Sequence, residues 1–153
     1  MTLVDTSVWI DHFRSGNKRL SALLEAGEVL THELVIGELS LGVFRSGEQT
    51  FAFLDSLPKA TAATDLDLRG WIESRKLWGR GIGWIDAHLA ASALLTPCAL
   101  WTLDARLRRM AAGLGIVGQP FRLRPGFQPG QSLRGMNASR GLKARPTVSY
   151  FQP

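Results

Sequence analysis

The sequence predicts an α/β fold with a mainly parallel sheet. Short apolar runs of strand type alternate along the chain with longer segments whose apolar residues recur at helical spacing. The connections between successive strand-like runs carry those helical segments, as parallel strands require, with right-handed crossovers. Two of the short runs also end directly in an aspartate, Asp5 and Asp104, a residue that at such a place either caps the next helix or carries chemistry. In a parallel sheet the functional crevice lies outside the carboxyl ends of the strands, so both acids are expected at one edge.

The elements follow in order. Thr2-Leu3-Val4 is a brief strand, and Thr6 and Ser7 offer N-cap hydroxyls to a helix carrying Val8, Trp9, Ile10 and Phe13. Residues 14–17 (Arg-Ser-Gly-Asn) read as a turn. Leu20, Leu23 and Leu24 mark a second helix to about Ala26, stopped by Gly27. Val29 to Thr31 is a second strand, Leu34 to Val43 a helix, and Thr50 to Leu57 another helix ending before Pro58. Thr61 to Ala63 is a weak strand, Leu66 to Leu77 a helix, and Gly79 to Gly83 a glycine-rich loop. Trp84 to Leu95 is a strong helix rich in Ala and Leu. Ala99 to Leu103 is a buried-type strand, Ala105 to Leu114 a helix, and Ile116-Val117 a last strand.

Two regions differ in charge. Residues 1–118 hold 12 Lys and Arg against 13 Asp and Glu, whereas residues 119–153 hold six bases, Arg122, Arg124, Arg134, Arg140, Lys143 and Arg145, and no acid. The net +5 therefore belongs to the tail. The division predicts a folded body over 1–118 and an irregular, flexible, basic extension over 119–153, rich in glycine and proline. Cys98 is the sole cysteine, which excludes an internal disulfide and a cysteine zinc site and agrees with a reducing cytoplasm. It reads as a small core residue. No secretory signal is evident, and no apolar run reaches the ~20 residues of a membrane span.

Two further acids lie in apolar surroundings. Glu38 sits in Leu34-Val35-Ile36-Gly37-Glu38-Leu39 and Asp86 in Trp84-Ile85-Asp86-Ala87. Such acids are costly to bury alone, so each either faces solvent or has a partner. Four carboxylates in one cleft repel by roughly 4 kcal/mol per pair at 4 Å with an effective dielectric of 20. A divalent cation removes that objection. All-oxygen ligands select Mg²⁺ or Mn²⁺, which acidifies water and neutralises charge on a phosphate. That is a physical route to phosphodiester hydrolysis.

Four runs then carry a resemblance: Leu3-Val4-Asp5-Thr6-Ser7-Val8-Trp9-Ile10, Val35-Ile36-Gly37-Glu38-Leu39, Gly81-Ile82-Gly83-Trp84-Ile85-Asp86-Ala87-His88-Leu89-Ala90-Ala91-Ser92 and Leu100-Trp101-Thr102-Leu103-Asp104. In that order they resemble the motifs of PIN-domain proteins, and among them the bacterial VapC toxin ribonucleases. The resemblance covers about residues 1–118 and does not reach 119–153. It implies a three-layer α/β/α fold and Asp5, Glu38, Asp86 and Asp104 as metal-binding and catalytic acids. It also implies a supporting role for Thr6, Ser7 and Thr102 and cleavage of RNA with Mg²⁺ or Mn²⁺. Its further implications are a homodimer, a VapB-type antitoxin as partner and a cytoplasmic location.

Other residues carry weaker expectations. Residues 79–83 (Gly-Arg-Gly-Ile-Gly) lack the Gly-Lys-Ser/Thr of a phosphate-binding loop and read as shaping the approach to Asp86. Arg80, Arg106 and Arg109 are candidate RNA contacts, set against a solvated face. Trp78 and Trp84 flank the glycine loop as candidate base-stacking platforms, set against core packing. His12, His32 and His88 lack zinc-helix spacing. The competing functions are a catalytically silent PIN-like module that binds RNA or a partner, an Asp-nucleophile phosphatase, and a DNase. The phosphatase reading wants a second Asp two residues past the first, where Ser7 stands.

Overall fold

Asp5, at the carboxyl end of the first strand, begins the first helix directly, and this strand–acid–helix junction sets the plan of the domain. The structure is a computed structural model and describes residues 1–42 and 48–117. The expectations for residues 119–153, and for the helix end at Val43, lie outside them. Three strands, β1 (Thr2–Val4), β2 (Val29–Leu30) and β3 (Ala99–Trp101), form a parallel sheet of order β2-β1-β3. Thr2 and Leu3 pair with Val29 and Leu30 on one side. Thr2, Leu3 and Val4 pair with Ala99, Leu100 and Trp101 on the other. Around the sheet, in chain order among the described residues, stand α1 (Thr6–Ser15), α2 (Lys18–Glu25), α3 (Glu33–Leu41), α4 (Glu48–Ser56), α5 (Asp65–Ser74), α6 (Trp84–Leu95) and α7 (Ala105–Gly113).

The strands are short, and each hands over to a helix within a few residues. Leu3 and Val4 are fully buried, as expected of strands covered on both faces. They pack with Val8, Trp9, Leu20, Leu39, Leu89, Leu100 and Leu107 in one core. The helix α6 supplies much of the central packing. Every residue from Ala87 to Ala93 is buried, so this helix is apolar almost all round and lies inside the domain. Its small alanines let neighbouring elements approach closely.

Several boundaries depart from the sequence reading. The N-cap of α1 is Asp5, whose side chain accepts from the Ser7 amide, not Thr6 or Ser7, which lie inside the helix. The expected turn at 14–17 begins later, because α1 runs through Ser15 and Gly16 closes it in the left-handed region at φ 71°. The helix α3 starts one residue early because the His32 ring caps it, accepting from the Leu34 amide. The expected strand Thr61–Ala63 is not one. The chain instead touches the sheet two residues earlier, through the bridge Thr31–Lys59 and the bond from the Ala60 amide to Thr31 O. β3 stops at Trp101, and Ile116-Val117 makes a single bridge, Val117 to Leu100, rather than a strand. Among the described residues no helix is long and apolar enough to cross a membrane.

Leu89 is fully buried at the centre of α6. Leu89→Ala is expected to destabilise the domain by about 2–5 kcal/mol, the transfer term plus a residual cavity. Urea unfolding of the two proteins measures it, and a loss under about 1 kcal/mol would show that α6 is not the central packing element.

Candidate functional site

The carboxyl edge of the sheet carries Asp5 after β1, His32 after β2 and Asp104 after β3. Asp5 is 6% exposed, so its carboxylate needs donors. They converge on one oxygen. Ser7 Oγ donates to Asp5 Oδ2 at 2.5 Å, Thr102 Oγ1 at 2.7 Å, and the Ser7 amide reaches it at 3.4 Å. Each hydroxyl in turn accepts a backbone amide: Leu103 N donates to Ser7 Oγ at 3.0 Å and Asp104 N to Thr102 Oγ1 at 2.9 Å. Both hydroxyl protons are therefore committed to Asp5. The 3.4 Å approach of Ser7 Oγ to Thr102 Oγ1 has no proton left for it. The Asp5 amide donates to Trp101 O at 3.0 Å, closing the junction of β1 with β3.

Asp104 caps α7, its Oδ1 accepting from the Arg106 and Leu107 amides, each at 2.8 Å. Those amides, with Arg106 and Arg109 nearby, hold its carboxyl below the ordinary value. Asp86 lies in the first turn of α6, and its Oδ2 accepts from the Gly83 amide at 3.1 Å. Burial raises its pKa. The Gly83 bond works against that, and the charges of Asp5 and Asp104 add to it. Asp86 thus feels the charges of two aspartates far from it in the chain, one of them at the end of β1 and the other at the start of α7. Glu38, half-buried on α3, accepts from Thr6 Oγ1 at 2.6 Å, which ties it to the residue beside Asp5. The two hydroxyls after Asp5 therefore diverge, Ser7 serving Asp5 and Thr6 serving Glu38.

One pattern repeats in all four acids. Each is held through a single oxygen, and among the described residues the other, Asp5 Oδ1, Glu38 Oε1, Asp86 Oδ1 or Asp104 Oδ2, has no protein partner. No ion pair reaches any of the four among the described residues. Unpartnered carboxylate oxygens suit a hard divalent cation in their chemistry. The arrangement is open: among the described residues no three His, Cys, Asp or Glu side chains stand grouped to hold an ion as they are.

The remaining candidates divide. Arg80 is exposed and its Nε donates to Lys76 O at 3.1 Å. Arg106 Nη1 donates to Gly81 O at 3.3 Å. Arg109 is exposed and contributes to the field at Asp104. Trp78 and Trp84 are 59% and 45% exposed, so core packing does not account for either. Trp84 meets the His88 ring edge-on, with centroids 4.9 Å apart. Sequence reasoning misses the polar interior beside α6, where His32 Nε2 lies 3.1 Å from Ser92 Oγ and His88 Nε2 lies 3.4 Å from Asp65 Oδ1. His88 and Ser92 at i, i+4 on an apolar helix are the one signal of it.

Comparison with known proteins places the chain in a family. The PIN domain family model matches residues 2–113. The chain belongs to the PIN-domain family. Two curated relatives, each named Ribonuclease VapC32, come from the CDC 1551 / Oshkosh and H37Rv strains of Mycobacterium tuberculosis. Each is 41% identical over 118 residues, which is 76% of this chain and 95% of the relative.

The raised pKa of Asp86 has a definite sign in stability. The folded protein holds that proton more tightly than the unfolded chain, so the contribution is fully present below the ordinary 3.8 and is lost as pH rises through the folded value. Asp86→Asn removes the penalty. The variant is expected to have a higher urea midpoint than the parent at neutral pH, with the gain vanishing well below pH 3.8. A gain of equal size in acid would show that charge repulsion is not its source.

Proposed function

We propose that this chain is a divalent-cation-dependent endoribonuclease and the toxin of a type II toxin–antitoxin pair, with Asp5, Glu38, Asp86 and Asp104 as its catalytic, metal-holding acids. The observation that carries the reading is the shared state of the four carboxylates: one oxygen anchored, the other unpartnered, with Asp86 raised partly by the charges of Asp5 and Asp104. The relatives' name, a ribonuclease, supports it. The unpartnered oxygens are the atoms that would hold Mg²⁺ or Mn²⁺. When bound, the ion supplies charge neutralisation at the scissile phosphate and acidifies water.

The chain's own residues set the stage for that chemistry. Ser7 and Thr102 fix the Asp5 carboxylate, with their hydroxyl protons directed by the Leu103 and Asp104 amides. Thr6 fixes Glu38, and the first turns of α6 and α7 fix Asp86 and Asp104. Positioning of this kind is where much of an enzyme's rate originates. By the family likeness the active form is a cytoplasmic homodimer, and a VapB-type antitoxin covers the acidic cleft with a basic side chain.

The test is cleavage of total RNA with Mg²⁺, with Mn²⁺ and with chelator. Cleavage is expected only with metal, and Asp5→Asn is expected to remove most of it while the fold survives. Chelator-insensitive cleavage by Asp5→Asn would reject the site. RNA bound with normal affinity but never cut, under every metal condition, would leave the silent binding module as the answer.

The basic residues 119–153 are proposed to hold RNA, since residues 1–118 carry slightly more acid than base. A protein ending at Gly118 is expected to cleave still, but to bind RNA more weakly at low salt. The slope of log affinity on log salt should be shallower by about 0.7 for each phosphate that the shortened protein no longer neutralises. Superimposed salt series for the two lengths would exclude these residues from binding.

A further inference from the structure

Arg106 stands two residues beyond Asp104, and its backbone and side chain do different things. Its amide donates to Asp104 Oδ1 at 2.8 Å. Its guanidinium crosses to the loop before α6, where Nη1 donates to Gly81 O at 3.3 Å. The contact is packing as well as hydrogen bonding. A Cβ placed on Gly81 would meet Arg106 Nη1 at 3.2 Å and its Cδ and Cζ at 3.6 Å. Gly81 also has φ +68°, which a side chain disfavours, and a Cβ there would push the end of the arginine aside by a few tenths of an ångström. Two residues further on, the Gly83 amide donates to Asp86 Oδ2 at 3.1 Å. One residue therefore grips Asp104 by its main chain and, through Gly81 to Gly83, the loop that grips Asp86.

We propose that Arg106 is a positioning residue, a clasp that fixes Asp86 against Asp104 from across the site, rather than an arginine held out for the RNA backbone. The role rests on the functional reading above, in which these two acids act together. Asp86 and Asp104 repel, so a tether between α7 and the loop before α6 has a task that packing at an exposed edge does not perform. The glycines at 79 and 81, both at positive φ, leave the loop without side-chain anchors of its own at those positions. Arginine suits the task because its planar, permanently charged fork reaches a backbone carbonyl without titrating.

Electrostatics and geometry predict opposite signs, and that separates the clasp from a simple charge. Removing a cation beside the acids should, by field alone, strengthen binding of a divalent ion. Removing a clasp should weaken it. The experiment compares full-length wild type with Arg106→Gln, Arg106→Lys, Gly81→Ala and the Gly81→Ala/Arg106→Gln double variant. It measures Mn²⁺ affinity by titration without RNA, kcat and KM for RNA, and ¹⁵N order parameters of Gly81 and Gly83 without metal.

Arg106→Gln is expected to lower Mn²⁺ affinity about tenfold and kcat at saturating RNA on the order of tenfold or more, with Gly81 and Gly83 loosened. Gly81→Ala should reproduce these effects, the double variant should be no worse than the poorer single, and Arg106→Lys should recover part of the function. Mn²⁺ affinity unchanged or raised, or a higher KM with kcat intact, overturns the proposal in favour of an RNA contact. Should wild type neither bind Mn²⁺ nor cut RNA, the functional reading fails by itself. The clasp then stands if the order parameters drop in Arg106→Gln and falls if they do not.

Discussion

Everything at the carboxyl edge of the sheet depends on keeping the Asp5 carboxylate buried and correctly aimed. An isolated carboxylate at 6% exposure is costly. Ser7 and Thr102 offset that cost with hydroxyl bonds, and the hydroxyls are themselves polarised by the Leu103 and Asp104 amides. The same bonds pin the end of β1, the start of α1 and the end of β3 to one point. Satisfying the acid and assembling the sheet edge are thus one event. The short strands follow from this, because each stops where its acid or cap must begin a helix.

The helices divide the remaining labour. The helix α6 is buried from Ala87 to Ala93, yet its first turn surfaces with Asp86 in it. Packing immobilises the helix, and its N-terminal dipole favours a negative charge at that turn, working against the burial that raises the Asp86 pKa. The helix α7 treats Asp104 differently. Two amides and two nearby arginines hold an exposed carboxylate below its ordinary value. One acid caps its helix and the other is the third residue of its own, and they are pushed in opposite directions, so environment separates their proton affinities.

Much of this is legible in the sequence. The α/β class follows from alternating strand and helix periods, and α6 can be read to the residue, because a run of Ala and Leu without breakers has one reading. The convergence of Asp5 and Asp104 on one edge follows from parallel topology. The expected strand at Thr61–Ala63 fails because what the chain does there is make one bridge at Lys59, and bridging has no periodicity to read. The cap of α1 falls at Asp5 rather than at Thr6 or Ser7, since Asp, Thr and Ser are all good caps and propensity does not choose among them. The partition of Thr6 to Glu38, with Thr102 joining Ser7 on Asp5, is not visible, because it is fixed by contacts 32 and 97 residues away. Arg106 reads locally as an RNA contact. Nothing in local spacing reveals a carbonyl 25 residues upstream.

The strand order β2-β1-β3 has a consequence for the life of the molecule before it works. The central strand is made before both of its neighbours, and the second of them is the last strand among the described residues. A chain leaving the ribosome carries β1 with one edge unpaired until Ala99–Trp101 appears, and Asp5 lacks Thr102 until the same moment. Loop closure over such a span is slow compared with local helix formation. A chain synthesised only that far therefore lacks both the Thr102 hydroxyl that fixes Asp5 and Asp104 itself. Translation itself therefore provides an interval in which the chain is present but the carboxyl edge of its sheet is incomplete.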